Sequence, residues 1–224
     1  EHQQLLRTAF DVAILAEDAT FDVQYGNVKR PTNANTSWDE AKFETVAHKW
    51  ADLSQRDYGV ALLNDSKYGY SVKKNVISLS LIKSGINPDT EADQGYHAFT
   101  YSLLPHEGDF VTGQVERVAQ EMNNPLVVTA GKLERDLTAL FNFKATDVVN
   151  IDAIKLSEDK QSIILRFHEY TGQNGMITVK PNFAYQSVTE VQLDEVTEVT
   201  TLEQAEDYQI NVHPYQVITL AFVR

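Results

Sequence analysis

Residues 76–82 read Val-Ile-Ser-Leu-Ser-Leu-Ile, with serine at two alternate positions of an otherwise apolar run. The apolar residues Ile77, Leu79 and Leu81 fall on one face of an extended chain, and the two serines fall on the other. Because successive side chains of a strand point to opposite faces, this period of two predicts a β-strand with one buried face. The same period governs most of the remaining sequence.

Further strands are predicted wherever alternation or a short apolar run combines with β-branched and aromatic residues. These segments are 20–25, 58–63, 96–103, 148–156, 162–170, 176–180, 187–193, 208–212 and 216–223. Turn residues separate them at 24–27, at Asn87-Pro88-Asp89 and at 172–175, where a hairpin loop is predicted. Many strands without regular helices between them favour an all-β antiparallel sandwich over parallel βαβ units.

Two segments show helical spacing. In the first segment the i, i+3, i+4, i+7 spacing of a helix is shown by Phe43, Val46, Ala47 and Trp50. Residues 42–48 of the same segment, however, also alternate between polar and apolar side chains, which is typical of a strand. A strand is favoured there. The clearest helix spans 112–123 and ends before Pro125, because proline cannot continue the hydrogen-bond ladder.

The helix also suggests a domain boundary. We predict a β-sandwich over residues 1–112 and a second, C-terminal β-sandwich with its linking helix over 113–224. The acidic, threonine-rich stretch 189–207 is interpreted as a solvated edge or loop. The expected fold class is therefore all-β, built of antiparallel sandwiches with one short helix.

Composition excludes several classes of protein. The net charge of -13 repels phosphate backbones and anionic lipids, so no nucleic-acid or membrane partner is expected. The absence of cysteine excludes disulfides, thiolate metal sites and a cysteine nucleophile, and a cytoplasmic location is the simplest expectation. No signal peptide or transmembrane run is predicted.

The sequence contains no recognisable catalytic motif. The six histidines form no zinc-binding pattern, and the nucleophile and phosphate-binding motifs of common enzyme families are absent. Glycosidases need two carboxyl groups that flank the scissile bond, and spacing alone does not pair any of the many candidates. Examples of these candidates are Asp39, Glu40, Asp65, Asp93 and Glu169. We assign no catalytic or metal-binding residue.

Two turn-rich segments, 30–39 and 64–70, mix amide, carboxylate, cationic and aromatic groups. Such a mixture suits sugars, which offer hydroxyl groups for hydrogen bonds and C–H faces for aromatic rings. The alternative is that these polar groups satisfy the backbone of their own loops. The candidate substrate-cleft residues are Asn64, Asp65, Lys67, Tyr68, Tyr70, Arg30, Asn33 and Asp39.

The same segments are similar to the C-terminal region of family 38 glycoside hydrolases, the α-mannosidases, especially the bacterial, vacuolar and cytosolic branch. The similarity runs over nearly the whole chain in order, with Ser66 standing where many relatives have cysteine. The residues that show it include Phe21-Asp22-Val23-Gln24-Tyr25-Gly26, Arg30-Pro31-Thr32, Asn35-Thr36-Ser37-Trp38-Asp39, Leu62-Leu63-Asn64-Asp65-Ser66-Lys67-Tyr68-Gly69-Tyr70, Leu104-Pro105-His106 and Leu165-Arg166-Phe167-His168-Glu169-Tyr170.

This resemblance implies that the chain is part of a retaining α-mannosidase but lacks its catalytic domain. In the family, zinc and the nucleophilic aspartate belong to an N-terminal domain, so no cofactor is expected in this chain. The resemblance further implies a mutarotase-like supersandwich part and a smaller C-terminal sandwich that pack on the catalytic domain and help wall the mannoside cleft. Two other roles stay open: a stand-alone mannose-binding module, and an oligomerisation module that forms homo-oligomers.

Overall fold

A computed structural model describes residues 4–42, 44–131, 139–144 and 147–224. The chain forms two compact units, Glu1–Val127 and Val128–Arg224. Antiparallel strands dominate both units, as the alternating sequence predicts. The all-β fold class is therefore confirmed.

The first unit is built from two antiparallel sheets. In chain order its elements are β1 (Leu5–Asp11), β2 (Asp18–Val23), β3 (Gly26–Pro31), α1 (Ser37–Glu40), β4 (Thr45–Val46), β5 (Trp50–Ser54), β6 (Tyr58–Asn64), β7 (Gly69–Lys73), β8 (Val76–Lys83), β9 (Tyr101–Glu107) and α2 (Val115–Asn123). One sheet has the order β1-β8-β7-β4 and the other β3-β2-β5-β6-β9. Phe21, Leu53 and Leu62 of the second sheet share one core with Tyr70 and Leu79 of the first.

Long-range pairing changes one predicted strand of this unit. The sequence predicted a strand over 96–103, but β9 begins only at Tyr101 and continues to Glu107. Its register is set by β6, with Leu103 opposite Leu62. Tyr96 lies outside any strand and is 94% exposed. Alternation in the sequence therefore located the strand but not its ends.

One confirmation and one correction concern the short elements before β5. The strand interpretation of 42–48 is confirmed at Thr45–Val46, which pair with β7, while Phe43 lies outside the described residues. The sequence predicted one short helix, but a second helical turn, α1, is also present. Thr36 caps it, because the Thr36 hydroxyl accepts a hydrogen bond from the backbone of Asp39 and the Asp39 carboxylate accepts one in return.

Helix α2 packs on β5 and β6 of the first unit. The sequence predicted that this helix belongs to the second domain. In the structure the boundary between the two units lies after Val127, so the helix is part of the first unit. The side chains of Val115 and Ala119 are buried on one stripe of the helix. This apolar stripe explains why the helix belongs to the first unit.

The second unit contains a three-stranded and a five-stranded antiparallel sheet. Its elements are β10 (Phe141–Lys144), β11 (Val149–Leu156), β12 (Ser162–Glu169), β13 (Gly175–Pro181), β14 (Ser187–Val191), β15 (Glu198–Leu202), β16 (Tyr208–Val212) and β17 (Val217–Val223). The sheet orders are β10-β13-β16 and β11-β12-β17-β14-β15. Phe141, Phe167, Ile177 and Phe222 belong to the core that the two sheets share.

The predicted hairpin at 172–175 is wrong. Strand β12 pairs with β11 and β17, whereas β13 pairs with β10 and β16, so the loop connects two different sheets. The acidic stretch contains β15 at the edge of the larger sheet, which agrees with the edge predicted for 189–207. Local turn chemistry identified the loop, but the partner of each strand is decided by distant residues.

Candidate functional site

Asn64 ties the loop between β6 and β7 to its surroundings. Its side-chain amide donates to the carbonyl of His48 at 3.0 Å, and its Oδ1 accepts from the backbone of Ser66 at 2.8 Å. The same side chain contacts the hydroxyl of Tyr70, and both residues are buried. Two of the eight predicted cleft residues are thus enclosed within the unit, where they hold the loop in place.

The other candidate residues of this loop are exposed or half-buried. Asp65 is exposed and accepts a hydrogen bond from the backbone of Thr100 at 3.0 Å, which lowers the pKa of its carboxyl group. The ammonium group of Lys67 lies 4.9 Å from the centre of the Phe99 ring. Tyr68 is 60% exposed. These three side chains therefore present a charged and aromatic surface.

Beside Tyr68 lies a recess of about 410 Å³, which we call the Tyr68 recess. It is lined by His48, Lys49, Asn64, Asp65, Ser66, Tyr68 and Asn123. The rings of His48 and Tyr68 meet edge to face with centroids 5.7 Å apart. Burial and the charge of Lys49 lower the pKa of His48, so its imidazole is neutral at neutral pH.

The other three predicted residues, Arg30, Asn33 and Asp39, meet in a different recess of about 420 Å³, which we call the Arg30 recess. Its remaining lining residues are Pro31, Lys42, Glu44 and Thr45. The hydroxyl of Thr36 donates to Asp39 at 2.8 Å and lowers the pKa of that carboxyl group. Six of the eight predicted residues therefore line two separate recesses, three in each, and Lys67 and Tyr70 line neither.

Several recess-lining residues escaped the sequence interpretation. His48, Lys49 and Asn123 border the Tyr68 recess although they lie outside segment 64–70. Lys42 and Glu44 border the Arg30 recess, just beyond segment 30–39. Their only signal in the sequence was their polarity, which most surface residues share.

Buried carboxylates of the first unit are engaged in structural contacts. Glu116 accepts hydrogen bonds from the indole of Trp50 and the ammonium group of Lys49, both at 2.6 Å. Asp52 lies 2.8 Å from Nε2 of His106, and the side chains of both residues are almost completely buried. Each carboxylate is paired with a donor, as burial of a charge requires.

The second unit has a similar carboxylate. Glu169 has no exposed surface, and its oxygens accept hydrogen bonds from the backbones of Thr171, Gly172 and Tyr215 at 2.7–2.9 Å. Burial would raise the pKa of Glu169, but these donors and the Thr171 hydroxyl lower it. Glu169, one of the paired-carboxylate candidates, thus fixes two neighbouring loops.

Within the described part of the chain, no group of three or more histidine, aspartate or glutamate side chains is arranged to hold a metal ion. None of the described helices has the length and apolarity needed to cross a membrane.

Two family models match the sequence, one for each unit. They are the glycosyl hydrolases family 38 C-terminal domain, over residues 1–91, and the family 38 C-terminal beta sandwich domain, over 148–220. The chain belongs to the C-terminal region of glycosyl hydrolase family 38. The resemblance drawn from the sequence motifs is therefore confirmed, as is the β-sandwich of the second unit.

Named relatives agree with this family 38 membership. Alpha-mannosidase G of Dictyostelium discoideum is 37% identical over 237 residues, covering 100% of this chain and 21% of that protein. Alpha-mannosidase 2C1 of Mus musculus is 36% identical over 230 residues, covering 100% of this chain and 22% of the relative. The chain thus spans about a fifth of the length of these relatives.

A solved structure shares the fold of this family 38 chain. The crystal structure of an alpha-mannosidase from Enterococcus faecalis V583 superposes with a TM-score of 0.80 and 19% identity. The match covers 97% of this chain and 26% of the bacterial protein.

Proposed function

We propose that this chain is the non-catalytic C-terminal portion of an enzyme that hydrolyses terminal α-D-mannosyl residues. The observation that carries the proposal is the match of the complete chain to proteins named alpha-mannosidase, at 36–37% identity. Because the chain spans only about a fifth of these relatives, we assign the hydrolytic chemistry, and the zinc ion expected from the family, to the rest of the polypeptide.

The roles of the buried carboxylates support a structural rather than a catalytic fragment. A glycosidase needs two carboxyl groups that can reach one sugar. Glu116, Asp52 and Glu169 are instead enclosed and hydrogen-bonded to Trp50, His106 and loop amides. Removing any of them from these contacts leaves an unpaired buried group, so we assign all three to the stability of the fragment.

The finer proposal is that the first unit packs on the catalytic domain and that the Tyr68 recess forms part of the wall of the substrate cleft. Tyr68 offers an exposed ring, while Asp65 and Asn123 offer polar groups at the border of the same recess. A sugar bound there gains contact with an aromatic face and hydrogen bonds to fixed polar groups.

The test is a Tyr68→Ala substitution in the full-length enzyme, assayed on an α-mannoside substrate. Loss of a wall contact that acts equally on substrate and transition state raises KM by roughly tenfold and leaves kcat nearly unchanged. Tyr96→Ala is the matched control, since Tyr96 is 94% exposed and borders neither recess. Identical kinetics for Tyr68→Ala and Tyr96→Ala would show that the Tyr68 recess is not part of the cleft wall.

A stand-alone mannose-binding role is the second candidate, and the exposed Tyr68 ring beside a polar recess is the observation that favours it. This role predicts saturable heat when the isolated chain is titrated with mannose. Lys67→Ala and Tyr68→Ala should then weaken binding. At millimolar sugar a binding free energy as weak as about -4 kcal/mol is still measurable. A titration without heat at that concentration would therefore rule out the mannose-binding role.

A further inference from the structure

The Arg30 recess contains hydrogen-bond donors that have no partners within the described part of the chain. Nη1 of Arg30 is buried and has no hydrogen-bond acceptor there. The guanidinium group instead lies over the Phe21 ring, 4.7 Å from its centre. Buried polar atoms nearly always find a partner, so a donor beside a recess that is unmatched among the described residues favours a bound ligand as its acceptor.

Two other donors lie in the same recess. Lys42 forms no salt bridge among the described residues, although its positive charge acts on the neighbouring Asp39 carboxylate. Asn33 uses its side-chain oxygen to accept from Asn35 at 3.1 Å. Its amide nitrogen makes no hydrogen bond to a described residue and is left to donate to a ligand.

The acceptors of the same recess are already occupied. Asp39 accepts hydrogen bonds from the backbone and hydroxyl of Thr36, at 3.1 and 2.8 Å. Glu44 binds the guanidinium group of Arg7 and the hydroxyl of Ser80. The recess therefore contains two cations and an amide donor beside two carboxylates that already accept hydrogen bonds from other residues, while Nη1 of Arg30 has no acceptor among the described residues.

From this asymmetry we infer that the Arg30 recess is a binding site for a small oxyanion, a phosphate or carboxylate group. Arginine presents a planar set of N–H donors that matches both groups, and lysine adds a second positive charge. The volume of about 420 Å³ admits such a group with part of the molecule that carries it. A chain with a net charge of -13 repels anions in general, so binding here needs this local arrangement.

The site is independent of the proposed mannosidase function, because it lies outside the Tyr68 recess and uses none of its lining residues. Its ligand is defined by chemistry alone. A phosphate group and a carboxylate group share the acceptor geometry that Arg30 and Lys42 require. Separate titrations with a phosphate and with a carboxylate show which of the two groups binds.

The experiment is calorimetric titration of the 224-residue chain with inorganic phosphate and, separately, with acetate. Sodium chloride at matched ionic strength serves as the reference, since screening weakens any exposed charge interaction. Saturable binding of phosphate alone assigns a phosphoryl group, and saturable binding of acetate alone assigns a carboxylate. Saturable binding of both supports an oxyanion site open to either group, and binding of neither overturns the inference.

Variants locate the binding. Arg30→Gln removes the charge and is expected to weaken binding roughly tenfold or more, and Lys42→Gln by roughly two- to fivefold. Lys29→Gln is the control, because Lys29 is exposed on β3 and does not line the recess. Because Arg30 packs on Phe21, the Arg30→Gln protein is first checked for folding by circular dichroism. If Arg30→Gln is unfolded, the affinity of Lys42→Gln alone tests whether the anion binds in the Arg30 recess. Unchanged affinity in Lys42→Gln and in a folded Arg30→Gln would place the anion elsewhere.

Discussion

The indole nitrogen of Trp50 donates a hydrogen bond to the carboxylate of Glu116 across 2.6 Å, and this contact fastens helix α2 to strand β5. Both side chains are buried, and the ring of Phe110 stacks on the indole with centroids 5.2 Å apart. The carboxylate also pairs with Lys49 at 2.6 Å. The buried carboxylate of Glu116 thus connects helix α2 to Trp50 of strand β5, which lies 66 residues earlier in the chain.

Glu116→Ala should destabilise the first unit by about 2–4 kcal/mol, because it leaves a buried indole N–H unpaired and removes the nearer carboxylate from Lys49. Glu121→Ala is the matched control on the same helix. Glu121 is exposed, and its one ion pair among the described residues is the i,i+4 contact with Arg117, so its loss should cost less than about 0.5 kcal/mol. Urea unfolding followed by tryptophan fluorescence measures both, since both tryptophans lie in this unit. Equal midpoints for the two variants would contradict the assigned role.

The stability of the first unit should fall as pH rises above neutrality. Burial alone lowers the pKa of His106, but the hydrogen bond and charge of Asp52 outweigh burial and raise it. A raised folded-state pKa gives stability that is complete below the unfolded value of about 6.5 and is lost as pH rises through the folded value. Unfolding free energies between about pH 6 and about pH 9 measure the loss. His106→Gln should flatten this dependence, and an unchanged slope would contradict the pairing.

Gly113→Ala should destabilise the turn before α2 by about 1–3 kcal/mol. A Cβ atom at this position would lie 2.4 Å from the ring of His106, which is itself held by Asp52. Gly131→Ala is the control, because a Cβ atom there meets no described residue within 4 Å. Thermal unfolding by calorimetry compares the two. A Gly113→Ala protein as stable as the control would show that the His106 ring is not fixed.

Glu169→Gln should destabilise the second unit by about 2–3 kcal/mol at neutral pH, since charged acceptors bind amides more strongly than neutral ones. The pKa of Glu169 is lowered below 4.5, so its contribution is present above that pH and is lost as pH falls through the folded value. Calorimetric scans at neutral and acidic pH test both statements. Exposed Glu158 supplies the control substitution Glu158→Gln, which should have little effect. A neutral-pH midpoint for Glu169→Gln equal to that of the control would refute the proposed role of the carboxylate.

Several strands were predicted with nearly correct ends. In two of them, β8 and β12, the central apolar residues are buried and form a core face. Strands β1, β3, β5, β7 and β10 were not predicted. Strand β1 is largely exposed, and its conformation depends on ladder bonds to its distant partner β8.

The candidate site was predictable as segments but not as a surface. Asn64 and Tyr68 stand close in sequence and have the polar or aromatic character of binding residues. Only the three-dimensional hydrogen bonds show that Asn64 holds the loop while Tyr68 is 60% exposed. The pairing of Arg30 with Lys42 in one recess likewise depends on how α1 follows β3, which periodicity does not describe.

We propose that the chain is part of an α-mannosidase and carries none of the catalytic chemistry. The most direct measurement is hydrolysis of an aryl α-mannoside, with added zinc, by the isolated chain and by the full-length protein at equal molar concentration. We expect turnover by the full-length protein and none above background by the isolated chain. Turnover by the isolated chain that is abolished by substituting one of its own residues would contradict it.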